Sequence, residues 1–474
     1  MIKVKDNRDR VTVAKVYRAK QEHIFKWWDE LSESEKASLL EQVRKVDLRF
    51  VSEMRRRLRA GSNTVSFGEL EPAPVIQLST IESDKKRFEE LKAVGEERLR
   101  KGKVAIVTVA GGVSSRMGLF GSKALLKIGP ITGKTLIQFF AEKIVAISKR
   151  YSTLLPWIIM TSDTTDAQIK ELFEQNRFFS LPKGTVHFLR QGAVPVLDDR
   201  GRLIMEDKGK IALSPNGHGG FFDAFTGDGL LNQMLSTGIE DLFYFQVDNP
   251  AVKISDPVFL GLHYTTKAEF SSKVVWKKNP QERLGIFALE DGKIRTIEYT
   301  ELPPELASQV GNDGTLRFGA GSIAVHIISL GFLKRLSDEG VRLPYHMTKR
   351  RVPYIDGRGR RIVPTANNAN KFEKFIFDII RHTDKVTLLE TRREEEFCPI
   401  KEAEGEESLE TAQRFLSNLF GNWLKNCGVE VPTDESGNVL GVIEISPLFA
   451  LDSDELKAKI PAGGKFTGSL CLEP

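Results

Sequence analysis

The stretch VTVAGGVSSRMGLFGSK, Val107 to Lys123, ends an apolar run in three small residues, Ala110, Gly111 and Gly112, and soon afterwards supplies two cations, Arg116 and Lys123. A structural turn requires glycine but no cations. A loop that wraps phosphate requires both: bare backbone so that N–H groups come close, and positive charge to offset the anion. Two familiar phosphate loops do not fit. From Gly111 the residues read G-G-V-S-S-R-M-G, which misses the dinucleotide spacing G-x-G-x-x-G. Downstream, GPITGKT (Gly129 to Thr135) ends like a Walker A loop, but has three residues between its glycines where four are required and carries Pro130 among them. That segment reads more simply as the start of a helix near Thr132 or Thr135.

The elements that must position such a loop follow from periodicity. KVAIVTV, PWIIMTS, TVHFLRQ and LFYFQVDN are short apolar runs, rich in β-branched and aromatic residues, separated by helical stretches such as Leu136–Arg150 and Thr165–Phe173. Strands apolar on both faces and alternating with helices predict a mainly parallel sheet covered on both sides, an α/β doubly wound fold. In such a sheet ligands sit at the carboxyl ends of strands, which is where the opening loop falls. Before it, Val11 to Arg59 reads as helical, with Ser32 and Glu35 in capping-box spacing. Gly61 to Pro74 then reads as a linker and Asp84 to Arg100 as a charged helix. After the sheet, Asp291-Gly292 marks a two-residue hairpin, YIDGRGRRIVP and TDESGNVLGVIEI repeat that type, and NKFEKFIFDIIRH reads as a helix between them. Three consecutive blocks are expected: 1–100 a helical N-terminal region, 101–385 a central doubly wound domain, and 386–474 a small α+β C-terminal domain.

Composition bounds the function. The 474 residues are 41% hydrophobic and 28% charged, enough to bury large cores and remain soluble. A net charge of +5, well mixed along the chain, favours small anionic ligands and does not point to nucleic acid. The arginine runs at Arg55–Arg59 and Arg358–Arg361 read as solvated faces or turns. Cys398, Cys427 and Cys471 are odd in number and far apart, which proposes neither a disulfide framework nor a zinc site. With no apolar signal core and no membrane-length apolar run, a cytoplasmic protein without membrane partners is expected, as a monomer or weak homo-oligomer.

Further segments occur in a telling order: SPNGHGG (Ser214–Gly220), QVDNP (Gln246–Pro250), KVVWKKNPQERLGIF (Lys273–Phe287), TIEYTEL (Thr296–Leu302), FGAGSIAVH (Phe318–His326), KFEKFIFDI (Lys371–Ile379) and EEFCPIKEA (Glu395–Ala403). With VAGGVSSRMG and FGSK, this ordered set resembles the eukaryotic-type UDP-sugar pyrophosphorylases, most closely the branch that handles UDP-N-acetylglucosamine. The resemblance covers nearly the whole chain. It implies a Rossmann-like nucleotidyltransferase fold and a Mg²⁺-dependent reaction of UTP with a sugar 1-phosphate, giving UDP-sugar and pyrophosphate.

The same resemblance implies roles. Ala110, Gly111, Gly112, Gln191 and Gly217 would hold the nucleotide; Arg116, Lys123 and Lys401 would bear on the phosphates as the catalytic cations. His218, Glu298, Gly319 and Lys371 would lie at the sugar phosphate, and Asp248 would hold Mg²⁺. Such a displacement is mostly positioning and charge stabilisation, so no general base is required.

Departures from the pattern bear on rate and specificity. Ser114 stands where the family has a third glycine, and Ser122 and Ala124 flank Lys123 in place of proline and glycine. At the sugar end, the expected asparagines are replaced by Gly319 and His218. Losing an amide that contacts the sugar removes a specific hydrogen bond, so N-acetylglucosamine, glucose and galactose 1-phosphates all remain open. A non-catalytic nucleotide-sugar binding protein is the rival from another class.

Overall fold

The computed structural model describes residues 2–4, 6–60, 67–113, 121–312, 314–461 and 463–474. The chain divides into two compact units, each discontinuous: residues 1–67, 191–220 and 343–378 form one, and residues 68–190, 221–342 and 379–474 the other. This differs from the three consecutive blocks expected above.

In the first unit, helices Asn7–Arg18, Glu33–Lys45 and Leu48–Ala60 supply one wall. Ser32 starts the second of these as anticipated: its hydroxyl accepts from the Glu35 N–H at 3.3 Å, and its own N–H donates to the Glu35 carboxylate at 2.8 Å. The helices cannot bury their apolar faces alone. Val16, Phe25, Leu39 and Val51 form a core with Leu197, Met205 and Phe372 from the later segments. Met205 sits in the ribbon Met205–Asp207 with Lys210–Ile211, Leu197 bridges Leu203 and Asn370, and Phe372 sits in a second ribbon, His346–Arg350 with Ala369–Glu373. The second ribbon corrects the helix expected over NKFEKFIFDIIRH, whose first part is a strand. Phe372 points into the core while its neighbours Lys371 and Glu373 stay half-buried, a period-2 alternation that overrides helix propensity.

The second unit is built on a sheet with ten strands among the described residues. Val104–Val109 lies at its centre, with Trp157–Thr161 and then Val186–Arg190 on one side and Asp241–Gln246 on the other, all parallel. Beyond these the pairing becomes mixed: Leu70–Pro72, Lys293–Ile297 and Ala320–Ser329 run against the remaining strands, so the sheet is mainly parallel. Leu70–Pro72 also corrects the linker expected to Pro74, since this stretch pairs with Ala288–Glu290. The Asp291-Gly292 turn is present, both residues having positive φ.

Helix Lys85–Arg100 packs on helix Pro257–Thr265 at unusually close range, because each presents a glycine at the crossing. A Cβ on Gly95 would fall 1.9 Å from the Pro257 carbonyl oxygen, and one on Gly261 would fall 1.9 Å from that of Leu91. The C-terminal helix Leu409–Asn426 inserts Ala412, Leu416, Phe420 and Leu424 into the same core as Phe139, Phe140 and Ile144, which is why residues 386–474 do not stand apart as a domain. Among the described residues no helix is long and apolar enough to cross a membrane.

Candidate active site

Strand Val104–Val109 is followed in sequence by a helix leading to its neighbour on one side, while Asp241–Gln246 flanks it on the other. Chain connections therefore leave the carboxyl ends of these two strands in opposite directions, opening a crevice there. Ala110, Gly111 and Gly112 form one lip. Ala110 is buried, its N–H donating to the Met160 carbonyl at 2.8 Å. Gly112 is exposed, and a Cβ there would meet nothing within 4 Å, so no packing within the described chain requires glycine. Arg116 and Ser114 lie outside the described residues.

The other lip carries Asp248. Its carboxylate lies 3.4 Å from the Lys123 ammonium, which also donates to the Ile400 carbonyl at 2.9 Å. Both side chains are about four-fifths buried. Asn249 fastens this lip to the C-terminal segment: its Nδ2 donates to the Glu396 carbonyl at 2.7 Å, and its Oδ1 accepts from the Cys398 N–H at 3.1 Å. The Ile400 N–H donates to the Asp248 carbonyl at 2.8 Å. Lys401 comes next in the chain, yet its ammonium turns to Glu407 at 2.9 Å. The replacements beside Lys123 have local work: the Ser122 hydroxyl accepts from the Ala124 N–H at 3.2 Å, starting the short turn that carries Lys123, and Ala124 is fully buried.

In the same unit, Glu298 follows strand Lys293–Ile297, its carboxylate against the backbone of Gly285. Gly319 immediately precedes strand Ala320–Ser329, and its carbonyl accepts from the Lys277 N–H at 2.9 Å. A Cβ on Gly319 would lie 2.9 Å from the Trp276 ring and 2.8 Å from the Leu316 carbonyl oxygen. The glycine is thus demanded by packing, and the asparagine of the family pattern has no room here.

Gln191, Gly217, His218 and Lys371 all fall in the first unit. Gln191 is buried. Gly217 has φ +86°, and a Cβ there would lie 2.5 Å from the Lys374 carbonyl oxygen. The backbone of the GHGG loop runs along that of Lys374: the Lys374 N–H donates to Asn216 at 2.7 Å, and the Gly219 N–H donates back to Lys374 at 2.8 Å. Gly217 therefore has a structural reason independent of any ligand. His218 stacks on Phe375 at 5.1 Å between ring centroids, and its Nδ1 accepts from the Ile376 N–H at 3.2 Å. The residue keeps some surface exposure, but desolvation of the ring, helped by His346, pushes its pKa down to about 3. His218 is a neutral imidazole. Burial, and then the nearby Arg350, also lower the pKa of Lys371 against the opposing pull of Glu373.

One residue escaped the sequence reading. Asn216 is buried and its Oδ1 has no hydrogen-bond partner among the described residues, beside Gly217 and His218. Its place before glycine in PNGHGG reads as a turn former, which hid it. The GPITGKT loop, by contrast, is occupied by the protein itself: the Glu444 carboxylate accepts from the N–H groups of Ile131 at 2.8 Å and Thr132 at 3.0 Å, and Lys134 pairs with Glu142 and Glu473. A phosphate would have to displace that carboxylate.

Strand order, and a glycine loop facing a lysine–aspartate pair at the switch in connection direction, define the class: an α/β nucleotidyltransferase. The chain belongs to the UTP–glucose-1-phosphate uridylyltransferase family, whose model matches residues 49–424. It is 32% identical over 466 residues to UDP-N-acetylhexosamine pyrophosphorylase-like protein 1 of Xenopus tropicalis, covering 92% of this chain and 91% of that protein. It is 31% identical over 431 residues to UDP-N-acetylglucosamine pyrophosphorylase of Saccharomyces cerevisiae, covering 87% and 90%. The crystal structure of the uridine diphosphate N-acetylglucosamine pyrophosphorylase of Trypanosoma brucei, in complex with an inhibitor, superposes with a TM-score of 0.80 at 25% identity, covering 98% of this chain and 99% of that one.

Proposed function

We propose that the protein joins UTP and a sugar 1-phosphate, with N-acetylglucosamine 1-phosphate favoured, to give UDP-sugar and pyrophosphate. The observation that carries this reading is the Lys123–Asp248 pair at the crevice faced by the Ala110–Gly112 loop. A sugar-phosphate oxygen attacks the α-phosphorus of UTP; one P–O bond forms, the bond to the bridging oxygen breaks, and pyrophosphate departs with the electron pair. Only P–O bonds change, so the configuration at the sugar carbon is kept. The attacking oxygen is already an anion at neutral pH, which leaves the protein to align reactants and stabilise charge.

The backbone at Gly111 and Gly112 approaches the triphosphate, where Gly112 offers bare backbone in open space. Lys123, with Arg116, offsets charge on the departing pyrophosphate. Lys401 joins them once it exchanges Glu407 for phosphate. Among the described residues no three His, Cys, Asp or Glu side chains converge into a metal cage. The single carboxylate of Asp248 fits Mg²⁺, which is commonly held by one or two carboxylates together with substrate phosphates. Held there by Asp248 together with UTP, Mg²⁺ would supply Lewis-acid stabilisation of charge on the phosphates. By the family resemblance, Gln191 would read the uracil with its amide, and Glu298, Gly319, Lys371 and His218 would serve the sugar phosphate; His218, neutral, would contribute a hydrogen-bonding edge, not a positive charge. The buried free thiols Cys398 and Cys427 suit the reducing cytoplasm.

Gly319 favours a second reading of the sugar. With no side chain there to meet an acetamido group, glucose or galactose 1-phosphate becomes the alternative substrate. The deciding experiment follows pyrophosphate release from UTP and Mg²⁺ with each of these sugar 1-phosphates. Preference for the N-acetylated sugar supports the first reading, preference for glucose or galactose the second, and silence with all of them points to a binding protein.

A further inference from the structure

Within the second unit, Glu396, Cys398 and Ile400 run along the loop that carries Asp248 and meet it at every second residue. The Glu396 carbonyl accepts from Asn249 Nδ2 at 2.7 Å, the Cys398 N–H donates to Asn249 Oδ1 at 3.1 Å, and the Ile400 N–H donates to the Asp248 carbonyl at 2.8 Å. The far end of this run is the Ile400 carbonyl, which accepts from the Lys123 ammonium at 2.9 Å. A shift at the Glu396 end is therefore passed on to both Lys123 and Asp248. What fixes the Glu396 end is a buried charge. Its carboxylate accepts from Lys273 Nζ through both oxygens, at 2.7 and 2.6 Å, and from the Thr391 hydroxyl at 2.6 Å. Lys273 belongs to strand Phe270–Trp276 of the main sheet and donates also to Asp256 at 2.7 Å. Only 1% of Lys273 and 2% of Glu396 are exposed. Lys253 stands 3.8 Å from the same carboxylate, but its closer partner is Glu395 at 2.6 Å.

So enclosed a pair is a poor source of stability. Taking two charges out of water offsets most of their attraction, and well-packed apolar residues of similar volume often serve the core as well or better. Charge-assisted hydrogen bonds do what apolar packing cannot, which is to hold one atom in a fixed direction from another. We infer that Lys273 and Glu396 are positioning residues, a strut between the sheet and the 396–400 run that sets where Lys123 and Asp248 stand. Their bearing on turnover rests on the proposed uridylyltransferase reaction. Neither touches the crevice, so the strut acts only through Asn249, Asp248 and the Ile400 carbonyl.

The test uses three full-length variants. Lys273→Met with Glu396→Met replaces the pair by apolar side chains of similar length, Glu396→Gln keeps the shape and removes the charge, and Glu395→Gln alters a neighbouring carboxylate that pairs with Lys253 and Arg392 outside the run. The double variant should melt within a few degrees of the wild type. Its kcat should fall by about tenfold or more, as displacement of reacting groups by under ~1 Å can do. The Mg²⁺ concentration for half-maximal rate should rise at least threefold, while the KM for sugar 1-phosphate changes less than twofold. By hydrogen exchange, the Cys398 and Ile400 amides should open at least tenfold faster, with strand Trp157–Thr161 unaffected. Glu396→Gln should move the same quantities severalfold in the same directions, and Glu395→Gln should match the wild type. Unchanged exchange at Cys398 and Ile400 in both Glu396 variants overturns the strut, as does faster exchange with unchanged kcat and Mg²⁺ dependence, or an equal loss in Glu395→Gln. A double variant that unfolds, beside a Glu396→Gln chain with wild-type rates, makes the pair a support of the fold and overturns its positioning role. A wild type that releases no pyrophosphate with any sugar refutes the uridylyltransferase reading instead, and the exchange rates then decide the strut alone.

Discussion

The ammonium of Lys123 stands 3.4 Å from the carboxylate of Asp248, each the other's countercharge across the mouth of the crevice. Under the proposed function, triphosphate at Lys123 and metal at Asp248 would each replace this partner with a ligand of opposite sign. Lys123→Ala is expected to lower kcat by about 100-fold or more, the scale of removing one preorganised charge-stabilising group, while leaving the melting temperature within a few degrees. Asp248→Asn should instead raise the Mg²⁺ concentration needed for half-maximal rate. Steady-state rates over a Mg²⁺ series, beside thermal melts, check both, and full activity in either variant refutes the assignment.

Gly319 is closed to any side chain by Trp276 and Leu316. Restoring the family residue, Gly319→Asn, should destabilise the protein by roughly 1–3 kcal/mol, as overpacking does, without raising preference for the N-acetylated sugar. A urea titration and the sugar panel are sufficient; a stable variant with sharpened N-acetyl preference would contradict the packing account.

His218 sets a pH dependence of known sign. Its folded pKa of about 3 lies below the ordinary value of 6.5, so the unfolded chain binds a proton that the folded one refuses between these limits. The stability contributed is complete above pH 6.5 and is lost as pH falls towards 3. From pH 7.5 to 4.5 the urea midpoint of the wild type should fall further than that of His218→Gln, and equal falls would show that the ring is not desolvated as described. In the window from pH 6 to 7, the KM for sugar phosphate should show no ionisation belonging to His218.

The Walker-like loop gives a contrasting pair. Lys134→Ala should leave turnover unchanged. Glu444→Ala strands two N–H groups of the loop and should cost about 1–3 kcal/mol. Loss of activity in Lys134→Ala at unchanged stability would revive the phosphate-loop reading.

The central parallel strands were legible because burial on both faces writes itself as unbroken apolar runs, and Ser32 with Glu35 announced its helix through capping chemistry. The hairpin at Asp291-Gly292 was equally plain. Leu70–Pro72 was hidden because an edge strand of three residues, ending in proline, shows too little alternation to separate from a linker. Ala369–Glu373 was hidden because its partner strand, His346–Arg350, supplies a pairing that local propensity does not contain. At the candidate site, the resemblance singled out Lys123 and Asp248, and the fold places their side chains 3.4 Å apart. The reason for Gly319 lies in Trp276, distant in sequence, and the orphaned amide of Asn216 becomes visible only when its neighbours are placed.

The three-segment make-up of the first unit has a consequence for synthesis. Helices within residues 1–60 leave the ribosome early, yet Phe372, which shares their core, belongs to a segment ending at residue 378. At ~5–20 residues per second the wait is on the order of 15–60 s. Throughout it Val16, Phe25, Leu39 and Val51 lack part of the surface that covers them in the finished protein. The core of this unit is therefore completed only late in synthesis, and until then these apolar faces stay partly uncovered on the nascent chain.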